Sequence, residues 1–454
     1  MEELENSLHQ PRHCRRGVRR LLLPGVTAVV CIWGTLLAAQ APSSQEKVPA
    51  KPVEVSVELR FRNEFRDNAD FKPADDFDHA LGQRLRINLR ARPHARLTFV
   101  MQAQDAWFFG SKSDKIIHDL ATNLHQAYFD WKFAGSDRWE IRAGRQELAY
   151  GEERLVGTFA WDNVGRSFDA ARLRNRSGAW TSDFFWGRML DVRRNGARAR
   201  AGQQDLSGGY FAREPKGSPK RLEFYGLFLR DGLRTSGEIT GAPTETARIA
   251  TLGFRRVVRP KTGWRYSLEH AWQFGERGPD AHRAAMFIGT GGYAWAGRWQ
   301  TRLQGEYDFA SGDNNPADGK SREFNNLFPT NHPYYGYADL VGLRNLHDFR
   351  VTGAVALHPK VALELDYHRL LLAAPRGPWK SAAGRVLGSD PLGRFGRDLG
   401  HEIDLTLRVP LQQHLSFLAG YSAFLPGRFA VHTRGAETHH FAYIQATLQL
   451  GNSR

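Results

Sequence analysis

Apolar and polar side chains alternate one by one through long stretches of this chain. Val53, Val55, Val57, Leu59 and Phe61 alternate with Glu54, Ser56, Glu58, Arg60 and Arg62, and Leu85, Ile87, Leu89 and Ala91 with Arg84, Arg86, Asn88, Arg90 and Arg92. Successive side chains of a strand point to opposite faces, so each segment predicts one apolar and one polar face. The same rhythm runs through Ala127, Phe129, Trp131 and Phe133, through Trp264, Tyr266, Leu268 and Trp272, through Trp299, Leu303, Tyr307 and Phe309, and through Ile403, Leu405, Leu407 and Val409. The runs are about nine to thirteen residues long, more than most soluble strands need and enough for a tilted membrane strand. Eighteen strands are expected, the run near 206–213 being the weakest of them.

The connections are sorted by length. Those at 93–94, 134–137, 260–262, 296–297, 358–360 and 410–413 are short. Between them come long polar stretches near 67–80, 107–121, 148–166, 190–205, 231–246, 310–346, 372–400 and 425–437. A membrane barrel with tight periplasmic turns and extended outer loops has this pattern, whereas a soluble sandwich has no reason to sort its loops. Trp131, Phe133, Trp139, Trp264 and Trp299 lie beside short turns, as an interfacial girdle requires. The expected fold class is therefore all-β, an up-and-down antiparallel transmembrane barrel.

The first residues do not belong to that barrel. Arg12, Arg15, Arg16, Arg19 and Arg20 precede an apolar run from Leu21 to Leu37 and the small residues Ala38, Ala39 and Ala41. This is the order of a secretory signal peptide. The expected organisation is a cleaved leader at 1–41, a linker at 42–52, the barrel at 53–450 and a tail at 451–454. Both cysteines, Cys14 and Cys31, fall in the leader, so the mature chain can form no disulfide or cysteine metal site. Without the leader, 58 Lys and Arg stand against 45 Asp and Glu, a net charge of +13. That excess suits an anionic partner, and nucleic acid is not expected for an exported chain.

One local block is distinctive. It runs from Gly144-Arg145-Gln146-Glu147 through Gly151, Arg154 and Gly157 to Trp161-Asp162-Asn163-Val164-Gly165-Arg166-Ser167 and Arg172. A second contains Ser311-Gly312-Asp313-Asn314-Asn315-Pro316, Phe328-Pro329-Thr330-Asn331-His332 and Tyr335-Gly336-Tyr337-Ala338-Asp339, and a third Gly400-His401-Glu402 and Gly420-Tyr421-Ser422. Together these resemble the alginate export family of outer-membrane barrels. The resemblance implies passage of an anionic polysaccharide or a related anion through an arginine-rich lumen, in the outer membrane of a Gram-negative-type cell. The last strand departs from the pattern, ending on Leu448 and Leu450 rather than an aromatic residue.

By parity, the wet face carries Arg84, Arg86, Arg90, Arg92, Arg142, Arg172 and Arg174, while Arg154 and Arg166 lie in the long loop after Gln146. These nine are the expected anion path, with Arg154 and Arg166 brought near Arg84 and Arg86 if the loop folds inward. Guanidinium pairs with carboxylate in a bidentate way that suits such a path. The rival reading is that they pair with lumenal acids such as Glu54, Glu58, Asp130, Glu140 and Glu306. Arg145 falls on the lipid parity, so it must lie beyond the apolar band or after a bulge. Loop 310–346, with Tyr334, Tyr335 and Tyr337, is expected to fold inward or to cover the mouth.

Other chemistries have weaker signals. In Asp313-Asn314-Asn315-Pro316-Ala317-Asp318-Gly319, Ala317 takes a ligand position and no suitably spaced Glu follows, so a turn is expected rather than a calcium loop. No histidine spacing suggests a metal, and no cofactor is expected. Ser167 near Asp162 and Asp169 is a thin basis for an enzyme. A general porin or an adhesive barrel remains the alternative to an anion channel. The expected partners are outer-membrane lipid, the barrel assembly machinery and the transported anion, around a monomer.

Overall fold

The computed structural model describes residues 53–73, 76–110, 120–191, 200–232 and 246–451. The expected leader with its two cysteines, the linker, and Gly451's successors in the tail lie outside them. The strands are β1 (Val53–Asp67), β2 (Asp78–His94), β3 (Leu97–Phe109), β4 (Leu120–Lys132), β5 (Trp139–Gln146), β6 (Phe168–Ser177), β7 (Trp180–Asp191), β8 (Arg200–Arg213), β9 (Lys220–Asp231) and β10 (Ala247–Val258). They continue with β11 (Gly263–Arg277), β12 (Asp280–Ala294), β13 (Arg302–Ala310), β14 (Lys320–Ser321), β15 (Leu346–His358), β16 (Val361–Leu371), β17 (Trp379–Lys380), β18 (Val386–Gly388), β19 (Asp398–Pro410), β20 (Leu415–Pro426) and β21 (His439–Leu450), with one short helix, α1 (Arg428–Thr433), before β21. Apart from the short β14, β17 and β18, these form a closed antiparallel barrel of eighteen strands. The run near 206–213 is a full wall strand, β8.

Closure is made by β21. It pairs with β20 on one side and with β1 on the other, Val57 facing Leu450 and Arg66 facing Phe441. Its atypical end therefore does not prevent it from sealing the wall, and no ladder edge is left between first and last strand.

Alternation follows the parity read from the chain. Phe61, Ile87, Phe184, Trp186, Leu252, Trp272, Leu303, Val351 and Leu365 are exposed on the outer face, where lipid would cover them. Trp131, Trp139, Trp264 and Trp299 are likewise exposed beside the short turns. The inner face carries Arg60, Arg62, Arg84, Arg86, Arg172, Arg255 and Arg350, all buried. The sorting of loops has one exception. Between β11 and β12 only residues 278–279 connect, at the end where the other connections are long.

The long loops are not purely polar hairpins. Leu148, Leu155 and Val156 from loop 147–167, Phe324, Phe328, Leu340, Val341 and Leu343 from loop 311–345, and Trp379 from loop 372–397 are buried together in one apolar cluster with wall residues such as Leu206, Ile249, Met286 and Phe424. Trp379 stacks on Phe424 and meets Phe71 edge-on. Removing this apolar surface from water is what holds loops inside a wet lumen, and it gives the long-loop half a packed interior.

Candidate functional site

Two loops fold inward and cross. Between loop 147–167 and loop 311–345, Gly157 N donates to Phe328 O at 2.8 Å, Phe328 N to Leu155 O at 2.9 Å, and Thr330 N to Glu153 O at 2.8 Å. The Glu153 carboxylate accepts from Thr158 N and from the Thr330 hydroxyl. Gly157 has no room for a Cβ between Thr330 and Glu153, so the crossing depends on its lacking one. The second loop behaves as expected from its tyrosines, with Tyr335 and Tyr337 buried. Ala338 N donates to Glu402 at 2.8 Å and Tyr337 N to Asp404 at 3.3 Å. Gly336, at φ +89°, lets that backbone lie directly against the Glu402 carboxylate.

The arginines of the upper lumen hold these loops. Arg60 donates to Ala160 O, Asp162 O and the Asn163 side chain, and Arg84 donates to the same two carbonyls while pairing with Glu58 at 2.6 Å. Arg86 donates to Gln104 Oε1 at 2.6 Å and to Val164 O at 3.1 Å. Arg62 lies over the Trp161 ring and donates to the Trp161 carbonyl. The expected meeting of arginines is thus replaced. What reaches Arg84 and Arg86 is the loop's own backbone from 160 to 164, because four carbonyls pointing into an apolar-packed lumen need donors.

Arg154 instead reaches the far wall. It donates to Glu306 at 2.7 Å, to Asp308 at 3.1 Å and to the Tyr335 hydroxyl at 3.1 Å, and its guanidinium lies 4.0 Å from the Tyr334 ring centre. Arg166 donates to three carbonyls, those of Gly157, Phe328 and Pro329. Beside Arg154, Glu152 faces Arg255 at 2.7 Å and also pairs with Arg259. Burial alone would raise the Glu152 carboxyl, but Arg154, Arg255 and Arg259 overcome it and hold it down to about 2. A carboxyl lowered by folding stabilises above its ordinary range near 4.5 and loses that contribution as pH falls toward 2. Channel conductance is therefore expected to stay constant from pH 7 to about 5 and to rise below the ordinary carboxyl range as the loop loosens. In bilayer recordings, Glu152→Gln should show that loosened behaviour already at pH 7; an unchanged trace would count against Glu152 as a tether.

The lower lumen, toward the short turns, is different. Arg90 is half-buried, Arg92 pairs with Glu54 at 2.8 Å, and Arg142 grips Asp130 through two bonds of 2.6 and 2.9 Å. Arg174 holds Asp183 in a bidentate pair, and the same carboxylate lies 3.9 Å from Arg172. Glu364 likewise serves both Arg302, at 2.5 Å, and Arg408, at 3.5 Å. Arg176, on the same face of β6 as Arg172 and Arg174, pairs loosely with Glu140 at 3.5 Å. It, Arg302 and Arg408 are additions to the expected path residues, although Arg302 and Arg408 stand on the polar parity of strands already read as such.

Other residues singled out from the chain have structural partners. Arg145 does face outward, at the long-loop end, and pairs with Asp169 at 2.9 Å. Asp313 accepts from Asn315 N and Arg322 N, and Asp318 from Lys320 N, so this segment forms the expected turn. Ser167 lies 3.1 Å from His125 Nδ1, and His125 Nε2 is 2.8 Å from Glu147. That set resembles a catalytic triad, but Ser167 is buried and its hydroxyl donates to His125 O at 2.7 Å. It ties the end of the inward loop to β4.

A model of alginate export proteins matches residues 51–445. The chain belongs to the alginate export family. Family membership and the closed barrel make it an outer-membrane channel protein. No curated protein sequence matches it. Solved structures share the fold of this alginate export barrel at low identity. OccAB1 of Acinetobacter baumannii aligns with a TM-score of 0.61 at 9% identity, over 91% of this chain and 100% of that one. OccK11 of Pseudomonas aeruginosa gives 0.56 at 13%, over 88% and 96%. OccK2 of the same organism, solved in complex with glucuronate, gives 0.56 at 12%, over 88% and 96%.

Proposed function

We propose that this barrel passes carboxylated saccharides, polymeric or small, by passive diffusion through a lumen whose short-turn half carries excess positive charge. The observation that carries the reading is the sharing of acids there. Asp183 stands between Arg172 and Arg174, and Glu364 between Arg302 and Arg408. One carboxylate cannot neutralise two guanidiniums, so each cluster keeps about one positive charge available to a passing anion. Several weak sites in a row favour entry of a carboxylate without trapping it. The setting is the outer membrane of a Gram-negative-type cell. The glucuronate seen with OccK2 is a ligand of the same chemical class on the same fold, which supports a carboxylated sugar over an inorganic anion.

The path residues in this reading are Arg90, Arg92, Arg142, Arg172 and Arg174, extended by Arg176, Arg302 and Arg408. Arg84, Arg86, Arg154 and Arg166 position the loops beside that path. The reading is tested by reversal potentials in planar bilayers under a salt gradient. Anion preference is expected for the parent, and Arg90→Ser, Arg174→Ser, Arg176→Ser and Arg408→Ser combined should reduce it at least several-fold. Cation preference in the parent would overturn the proposal.

A further inference from the structure

The outer wall carries a row of charge at its long-loop end. In register across five strands stand Arg145 on β5, Asp169 on β6, Arg188 on β7, Asp205 on β8 and Arg230 on β9, and the next partners are Arg248 on β10 and Glu276 on β11. The first four neutralise one another. Arg145 pairs with Asp169, and Arg188 takes both oxygens of Asp205 at 2.6 and 2.9 Å.

Arg230 and Arg248 are left over. They are direct cross-strand partners, both exposed on the lipid-facing parity, and neither makes an ion pair among the described residues. Like charges opposite each other on one sheet face repel, and the acids on their other sides relieve this only from a distance. Asp205 is taken by Arg188, and Glu276 makes no ion pair with Arg248 among the described residues. Down the same strands the surface becomes apolar: Phe228 and Phe274 are exposed one step away, in register with Ala250, and Leu252 and Trp272 one step further, with Trp186 on β7 close by. The pair thus lies at the boundary where hydrocarbon gives way to headgroups. Long loops of such barrels face outward, which places that boundary in the outer leaflet.

We propose that Arg230 and Arg248 form a binding site for the phosphate of an outer-leaflet lipid whose acyl chains lie against Phe228, Leu252 and Phe274. Two adjacent guanidiniums suit a phosphomonoester, which accepts several charge-assisted bonds and cancels their repulsion. A ligand with both phosphate and chains satisfies the arginines and the aromatic surface together, and a free anion satisfies only the first. Basic sites at this depth are where lipid headgroups are held.

The test uses the whole barrel in detergent micelles containing phosphatidic acid with brominated chains, which quench tryptophans they approach. Brominated phosphatidylcholine is the comparison lipid. The parent is expected to be quenched at roughly ten-fold lower mole fraction of phosphatidic acid, a gap of about 1.4 kcal/mol. Arg230→Ser with Arg248→Ser should erase the difference. Arg256→Ser, an exposed arginine on the same face of β10 toward the short turn, should keep it. Equal quenching by both lipids in the parent, a preference that survives the double replacement, or one lost equally in Arg256→Ser would overturn the proposal. Removal of the preference by millimolar inorganic phosphate would assign the pair to a free anion and overturn it too. Heat-dependent gel migration confirms that each variant is folded.

Discussion

Arg154→Ala is expected to open the channel, raising single-channel conductance several-fold while the barrel itself stays folded. Arg154 is almost fully buried and faces Glu306 and Asp308, which are buried as well. Removing one partner of a buried pair leaves an uncompensated charge and costs about 3–5 kcal/mol. The wall ladders do not depend on that pair, so the penalty falls on the tether of loop 147–167. The loop should swing away from β13, and its crossing with loop 311–345 should fail with it. Neutralising the whole set, Arg154→Met with Glu306→Gln and Asp308→Asn, should bring conductance back toward the parent value, because no buried charge is then orphaned. If the single replacement leaves conductance unchanged, Arg154 does not hold the loop.

The second expected result separates holding from conducting. Arg60→Ala combined with Arg84→Ala should raise conductance and barely change ion preference. The two residues are the donors shown for the carbonyls of Ala160 and Asp162, and each buried acceptor left without a donor costs about 1–3 kcal/mol. Arg90→Ser with Arg176→Ser should do the reverse, lowering anion preference at nearly constant conductance. Conductance histograms and reversal potentials from the same bilayers decide it. A large loss of anion preference on replacing Arg60 and Arg84 would put those two residues back in the path.

Much of the wall was readable because lipid and lumen impose opposite demands on neighbouring side chains. Phe61 and Arg62, or Ile87 and Arg86, could be assigned to their faces by parity alone, and register then places Arg60 opposite Arg84. The loops obey no such periodicity. Leu155, Val156, Phe328 and Trp379 sit in stretches rich in Gly, Asn and charge, and only the folded lumen makes a single cluster of them. The partners of Arg154 are equally hidden, since Glu306 and Asp308 lie more than 150 positions away. An arginine held by backbone carbonyls and an amide, as Arg60 is by Ala160, Asp162 and Asn163, has no acidic ion-pair partner among the described residues to betray it. The turn at 278–279 shows the limit of loop length as a guide, since a strand pair needs only two residues to reverse at either end.

Loop 147–167 touches the wall at two distant places, β1 and β2 through Arg60 and Arg84, and β13 through Arg154. A closed hoop of hydrogen-bonded staves is stiff along each stave and soft to squeezing across its width. A chord fixed at both ends removes that softness. Lateral pressure from the bilayer would then meet a braced cross-section, and the bore beside the chord would keep one width as the surrounding membrane thins, thickens or bends.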